Sequence, residues 1–286
     1  MKIYDRQTKE YIEITQYGQD KLKILYGSMP GRLLLRLVVS PTFSRIYGWW
    51  NSRPESAKKI PAFIVENKIK TEDFEERTYC SFNDYFTRKL RKGAREINLE
   101  KGVLISPADA KLLVYPIDEG TRLELKGRRY TLDELVAGRL DLSSFAGGYC
   151  LVYRLCMDDY HRYCFIDSGK CGERFSLRGK LHTVSPISKD YKIYQENSRV
   201  VNVLLTDHFD TVVQIEVGAL LVGKIVNREV STFRKGEEKG YFEPGGSTII
   251  QLFRKGCVTI ADDILEQSRQ HIETKVRFGE SVVRKE

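Results

Sequence analysis

The sequence predicts an α+β protein, with a helical N-terminal region (residues 1–97) on a β-rich, mostly antiparallel body (residues 98–286). Two observations divide the chain in this way. Up to Gly93, apolar residues recur at helical spacing behind cap signals, as in Ser81 followed by Phe82, Tyr85, Phe86 and Leu90. Past Asn98 the apolar runs shorten to strand length, with turn residues between them. Segregated helices and strands make an α+β architecture.

Residues 1–20 read as a polar tag with a short strand at Tyr11-Ile12-Glu13-Ile14. From Lys21 to about Tyr47 the chain reads as helix, with leucines beside Arg32 and Arg36 and a stop at Ser40-Pro41; Trp49 and Trp50 close the segment. A second helix is expected from Ser56 to Lys70, disturbed by Pro61. A third, capped by Ser81, ends in Arg88-Lys89-Leu90-Arg91-Lys92-Gly93, cations followed by glycine. Strands are expected at Val103-Leu104-Ile105, at 111–115 and at 122–125, before a helix opened by the capping box Thr131-Leu132-Asp133-Glu134. Further strands are expected at 149–155, 200–205, 211–217, 220–226 and 248–253, then a helix from Asp262 to Ile272 and a basic tail. The chain has no internal repeat and no low-complexity segment.

With 41% hydrophobic and 30% charged residues in 286, the chain can bury a substantial core and is not disordered. A net charge of +8 and a pI near 9.0 suit a negatively charged partner, either nucleic acid or an anionic membrane surface. Leucines, arginines and paired tryptophans in one segment are what a helix lying in a membrane interface carries, an ordinary core helix being the alternative. Nucleic acid ranks last, because no binding motif or aromatic platform accompanies the charge. The longest apolar run, 33–39, falls far short of the ~20 residues of a membrane span. The start, Met1-Lys2-Ile3-Tyr4-Asp5-Arg6, lacks the apolar core of a signal peptide. A peripheral position on the cytoplasmic side of the cell membrane is therefore expected. Six cysteines without a Cys-x-x-Cys pair, among four histidines, give no zinc pattern and read as reduced, mostly buried thiols.

Three stretches carry potential chemistry. Ile105-Ser106-Pro107-Ala108-Asp109 places an acid at a tight turn between strands. Met157-Asp158-Asp159-Tyr160-His161-Arg162-Tyr163-Cys164 crowds polar side chains behind an apolar strand. In Pro244-Gly245-Gly246-Ser247-Thr248 a hydroxyl stands at the mouth of a strand behind two residues without Cβ. That last stretch is either a plain hairpin turn or a serine set to attack the carbonyl before it. Acid, histidine and serine far apart in sequence can meet as an Asp-His-Ser arrangement, although most chains contain such a trio.

Together these stretches resemble the phosphatidylserine decarboxylases, a pyruvoyl-dependent family, in their clostridial-type branch. That family's Ser-Pro-x-Asp-Gly turn, Tyr-His-Arg-x-His segment and Gly-Ser-Thr site correspond to Ser106-Pro107-Ala108-Asp109-Ala110, Tyr160-His161-Arg162-Tyr163-Cys164 and Gly246-Ser247-Thr248. Smaller pieces agree, among them 82–90, Asn197-Ser198-Arg199, Val217-Gly218-Ala219 and 276–280. The resemblance implies a precursor in which Ser247 attacks the carbonyl of Gly246. The resulting ester would eliminate, releasing a large fragment ending at Gly246 and leaving dehydroalanine at the start of a small one, 247–286, which water would convert to a pyruvoyl group with loss of ammonia. That group would form a Schiff base with phosphatidylserine, releasing CO2 and phosphatidylethanolamine. Asp109, His161 and Ser247 would be catalytic, no metal is called for, and a homodimer of the paired fragments is compatible with it.

The sequence departs from the family at two positions. Cys164 stands where the family has the histidine usually credited with activating the serine, and Ala110 replaces a glycine. A thiol is a poor general base unless nearby positive charge depresses its pKa, and Arg162 points to the opposite face if the segment is a strand. Self-cleavage is accordingly expected to be slow, rerouted through His161, or absent. The alternatives are an uncleaved, non-catalytic membrane-associated member, or a pyruvoyl decarboxylase of another amino acid.

Overall fold

The computed structural model describes residues 1–14, 19–125, 127–184, 186–188, 190–221 and 224–285. A hairpin of β1 (Lys2–Asp5) and β2 (Glu10–Glu13) comes first. Helices α1 (Gln19–Gly27), α2 (Met29–Val38), α3 (Pro41–Asn51), α4 (Ile60–Glu66) and α5 (Phe82–Phe86) follow. The body begins with β3 (Val103–Ile105), β4 (Ala110–Pro116), β5 (Arg122–Leu125), β6 (Arg128–Thr131) and α6 (Leu132–Val136). Next come β7 (Tyr149–Leu155), β8 (Arg162–Cys164), β9 (Gly169–Leu177), α7 (Ile193–Glu196), β10 (Arg199–Thr206) and β11 (Thr211–Gly218). The chain ends with β12 (Ile225–Asn227), β13 (Thr232–Phe233), β14 (Glu238–Phe242), β15 (Ser247–Phe253), β16 (Thr259–Ile260), α8 (Asp262–Arg269), β17 (Glu273–Val276) and β18 (Ser281–Arg284).

The α+β class is as predicted, but several elements differ. The N-terminus is not a tag, because β1 pairs in parallel with β17 and buries Ile3 completely. Ser40-Pro41 starts a helix instead of stopping one: the Ser40 side chain accepts from the Thr42 amide and Pro41 opens α3, a position where the missing N–H costs nothing. Pro61 likewise opens α4. The helix behind Ser81 ends at Phe86, well before the cations, and Leu90 instead forms a bridge with Phe74. Of the strand expected at 220–226, residues 222–223 lie outside the described residues, and the strand found begins at Ile225. The basic tail is β17 and β18, both with buried faces.

Helices α2 and α3 bury little of their apolar surface. Met29, Leu33, Leu34, Leu37, Ile46, Trp49 and Trp50 are all more than half exposed. The opposite side packs Tyr26, Leu35 and Val39 together. At Gly31 a Cβ would lie 2.1 Å from the Ile24 carbonyl oxygen, so only glycine lets α2 fold back on α1 this closely. No helix among the described residues is long and apolar enough to cross a membrane.

One sheet of ten strands, ordered β13-β9-β10-β11-β15-β7-β4-β17-β1-β2, forms the body, with β15 near its centre. Its two faces carry separate cores, one around Leu112, Tyr153, Ile249 and Phe253, the other around Leu113, Val152, Ile250 and Ile215. A three-stranded sheet, β12-β14-β8, lies apart from it. Between the two sheets runs a buried polar chain. Lys239 Nζ on β14 is 2.9 Å from Glu216 Oε1 on β11 and donates to Asn227 Oδ1 at 2.6 Å. Glu216 also accepts from Asn202 at 2.5 Å and Gln214 at 2.8 Å, and Gln251 on β15 donates to Gln214 at 2.9 Å. Removing one partner of such a pair leaves an uncompensated charge. Lys239→Met is thus expected to cost about 3–5 kcal/mol in urea unfolding, and a loss below about 1 kcal/mol would contradict the assignment.

Candidate active site

Ser247 is the first residue of β15, opposite Gly218 of β11 and Leu155 of β7. It is fully buried, and its Oγ has no hydrogen-bond partner among the described residues. An orphaned hydroxyl in a dry interior is costly, and such exceptions concentrate at functional sites. The turn before it concentrates its backbone strain at Gly245, whose φ of 142° disfavours any side chain. A Cβ at Gly246 would meet only ordinary contacts, with Val184 Cγ2 at 3.6 Å and the Leu155 oxygen at 3.8 Å.

His161 lies on the loop between β7 and β8, fully buried, with the Phe86 ring 4.3 Å from its own. Its Nδ1 is 2.9 Å from the Asp159 carbonyl oxygen. A carbonyl only accepts, so Nδ1 carries the hydrogen and Nε2 keeps a bare lone pair, which has no partner. Burial pushes its pKa down to about 3, with Arg88 and Lys111 adding to the effect, so the ring is neutral. The loop is fastened by charge: both Asp159 carboxylate oxygens lie 2.7 Å from Lys111 Nζ. Burial raises the Asp159 pKa to about 6 against that pull. Cys156, Asp158 and Asp159 cluster as metal ligands can, but their charge is met by Lys111 and by Arg154, whose Nη1 donates to Cys156 Sγ at 2.8 Å. The His161 carbonyl accepts from the Phe242 amide at 3.0 Å, which ties this loop to the end of β14, where the turn toward Ser247 starts.

Asp109 is gripped by Arg95, with Nη2 at 2.7 Å and Nε at 3.3 Å, and accepts from the Phe278 amide at 2.7 Å. Cys164 lies beside the same turn, its amide donating to the Pro107 carbonyl at 2.9 Å and its thiol 3.9 Å from the Ser106 carbonyl oxygen. It packs in an apolar cluster with Phe74, Ile105, Tyr160 and Phe278, and burial drives its pKa far up. Arg162 does not relieve this, being committed to Glu238 at 2.9 Å and to the Thr87 carbonyl at 2.8 Å. The structure therefore brings Cys164 to the Asp109 turn and His161 to the strand feeding the serine turn. No hydrogen bond joins Ser247 Oγ to any of them.

A profile of the phosphatidylserine decarboxylase family matches residues 82–284, a span that contains all three motifs. Phosphatidylserine decarboxylase proenzyme 2 of Clostridium acetobutylicum is 48% identical over 282 residues, covering 98% of this chain and 97% of that protein. Proenzymes of the same name from Clostridium botulinum and Desulfitobacterium hafniense are 39% and 38% identical over 290 residues, covering 99% of this chain and 98% and 97% of theirs. The chain belongs to the phosphatidylserine decarboxylase family.

Sequence reasoning missed three features of this family member. Tyr153 stands opposite Ile249, on the same sheet face as Ser247, and its buried hydroxyl lacks a partner. Glu216 lies two residues before Gly218, the residue opposite Ser247, which puts it diagonally across the ladder from the serine. Arg88 is buried without a carboxylate. The legible signal was Gln214, Glu216 and Gln251 on otherwise apolar strands.

The His161 shift has a measurable consequence. Its folded pKa lies below the ordinary 6.5, so the unfolded chain binds a proton that the folded chain refuses. Stability is full above pH 6.5 and falls as the pH drops toward 3. His161→Gln is expected to flatten the dependence of unfolding free energy on pH by about 1.4 kcal/mol per pH unit between about pH 6 and 4. His182, also pushed down by burial, to about 4, adds to the part that remains, while Asp159, raised to about 6, opposes it in both proteins. An unchanged slope in the variant would contradict the neutral buried imidazole.

Proposed function

We propose that this chain is a proenzyme that cleaves itself between Gly246 and Ser247 and then, carrying a pyruvoyl group in place of Ser247, decarboxylates phosphatidylserine to phosphatidylethanolamine at an anionic membrane surface. The observation that carries this reading is the fully buried, unpartnered Ser247 Oγ behind a strained Gly245, in a member of this family. A hydroxyl with no other bond to keep is free to turn on the neighbouring carbonyl, and the surrounding core keeps water away.

Ser247 Oγ bonds to the Gly246 carbonyl carbon while the Gly246–Ser247 C–N bond opens, converting amide to ester. The Oγ proton passes to His161 Nε2 and returns to the released Ser247 nitrogen. Nε2 suits this task because Asp159 fixes the tautomer that leaves its lone pair free. Cys164 does not suit it, since a thiol held protonated by burial is no base. Asp109 acts from its place as an orienting residue: locked to Arg95 and to the Phe278 amide, it fixes the turn against which β8 rests. The pyruvoyl group supplies a carbonyl that condenses with the substrate amine and accepts the electron pair released with CO2. The residues around Ser247 fit such a group, since the Oγ it would replace has no hydrogen bond to lose and Gly218 opposite carries no side chain. The same His161 Nε2, bare at rest, is the atom that can take up a proton shed by the substrate ammonium and pass it to the former α-carbon.

In this reading residues 1–97 make the membrane contact and residues 98–286 the catalytic body. The exposed apolar residues of α2 and α3 stand beside Arg32, Arg36, Arg45 and Arg53, a combination suited to anionic lipid. These helices are wired to the site. Leu181 N donates to the Val39 carbonyl at 2.9 Å, and Thr183 N donates to Tyr26 Oη at 3.0 Å. The next residue, Val184, is the one facing Gly246.

Denaturing mass spectrometry tests the proposal. Fragments 1–246 and 247–286 are expected, the smaller blocked at its N-terminus, together with CO2 release from phosphatidylserine vesicles. His161→Gln is expected to slow self-cleavage by roughly 100-fold or more, and Cys164→Ala by no more than about three-fold. A chain that stays intact, or that depends on Cys164 and not His161, would overturn it.

A further inference from the structure

Every other well-buried arginine of the described residues is saturated. Arg154 grips Glu273, Arg95 grips Asp109 and Asp73, Arg162 grips Glu238, and Arg199 donates to the carbonyls of Leu135, Gln195, Asn197 and Glu134. Arg88 is the exception. It is 1% exposed, yet its Nε and Nη2 have no partner, and its one hydrogen bond, from Nη1 to the Tyr85 carbonyl, is 3.5 Å long. The guanidinium lies 4.2 Å from the centre of the Phe74 ring and 4.9 Å from that of Tyr85. Stacking on rings offsets only part of what a buried, unpaired charge costs.

The two orphaned donors are not scattered. Nε and Nη2 share one edge of the guanidinium, where two N–H bonds run parallel and match the oxygens of a carboxylate or phosphate. This chain uses that same edge elsewhere. Arg6 binds Asp263 with it at 2.6 and 3.2 Å, and Arg95 binds Asp109 with it at 3.3 and 2.7 Å. Arg154 binds Glu273 in the same way. Arg88 thus presents the chain's own carboxylate-binding edge with nothing on it.

Its surroundings belong to the active site. The preceding helix contributes Phe86, whose ring lies against that of His161 at a tilt of 43°. The charge of Arg88 reaches His161, and that of Asp109 reaches Arg88. Phe74, stacked on the guanidinium, also lines a cleft of about 180 Å³ with Asp109 and Tyr160.

We propose that Arg88 is the oxyanion receptor of the substrate site, its Nε–Nη2 edge donating to an oxyanion of the headgroup, either the phosphodiester or the carboxylate. This rests on the decarboxylase reading for the identity of the ligand, but its test is separable. Arg88→Met keeps the volume and removes the unpaired charge, so the full-length variant is expected to melt at or above the wild-type temperature. Glycerophosphoserine is expected to raise the melting temperature of the wild type and to leave Arg88→Met unmoved. The same shift with glycerol phosphate alone assigns the phosphodiester; with free serine alone, the carboxylate. On phosphatidylserine vesicles KM is expected to rise roughly ten-fold or more, with kcat changed less, the scale of losing hydrogen bonds to a charged group. Fragment masses report self-cleavage separately. A variant that melts well below the wild type or keeps the shift overturns the proposal, as does a wild type that responds to none of the three compounds. If the wild type shifts but releases no CO2, the decarboxylase reading fails and the receptor stands.

Discussion

The buried pair of Lys239 and Glu216 joins two sheets at the point where the chain passes from one to the other. Lys239 lies on β14 of the three-stranded sheet, and Glu216 on β11 of the ten-stranded one. The turn 243–246 is one of the covalent links between those sheets, and Ser247 is its first residue on the far side. The bearing of that serine on the carbonyl before it depends on how the two sheets are held at this junction. The ion pair, continued through Gln214 to Gln251 on β15, closes the loop a second time. Both ends of the turn are then anchored to the same carboxylate. A buried carboxylate needs its own partners, and here Asn202, Gln214, Asn227 and Lys239 all meet Glu216.

Against the partnered Glu216 the unsatisfied groups stand out, and Gln251 Oε1, at the far end of that network, is itself without a partner. Ser247 Oγ, Tyr153 Oη, His161 Nε2 and the Arg88 edge are buried polar groups without partners. Each costs stability where it stands, which evolution tolerates mainly where chemistry or a ligand uses the group. Their functions differ accordingly: a nucleophile, a hydroxyl on its sheet face, a bare imidazole nitrogen and a cationic fork. The groups that do have partners, Asp159 with Lys111 and Asp109 with Arg95, hold the loops that carry them.

Much of this was legible in the sequence, because the signals were local. The α+β class followed from periodicity, and the Thr131 capping box opens α6 as expected. The family motifs pointed to Asp109, His161 and Ser247, and the structure sets each at a loop or strand end beside the others' elements. Most of what escaped depends on tertiary contact. A proline after serine reads as a stop when the preceding helix is followed forward, and is a helix start here because Ser40 caps the Thr42 amide and Pro41 opens α3. The strands of the C-terminal tail hide behind their charges: β17 and β18 are inner strands, each paired on both sides, and Lys275 meets Asp5 of the neighbouring β1. No sequence pattern marks Arg88 as unpaired, because every lysine- and arginine-rich helix end looks alike until its carboxylates are placed.

In the proposed mechanism the Glu216–Lys239 network fixes the serine turn for self-cleavage. The direct measurement is the self-cleavage rate of the double variant Glu216→Met/Lys239→Met, read by fragment mass over time in protein shown to unfold cooperatively. Replacing both partners by apolar side chains avoids a lone buried charge, so the fold is expected to persist while cleavage slows roughly ten-fold or more, the cost of a misplaced reacting pair. A folded double variant that cleaves at the wild-type rate would contradict the claim.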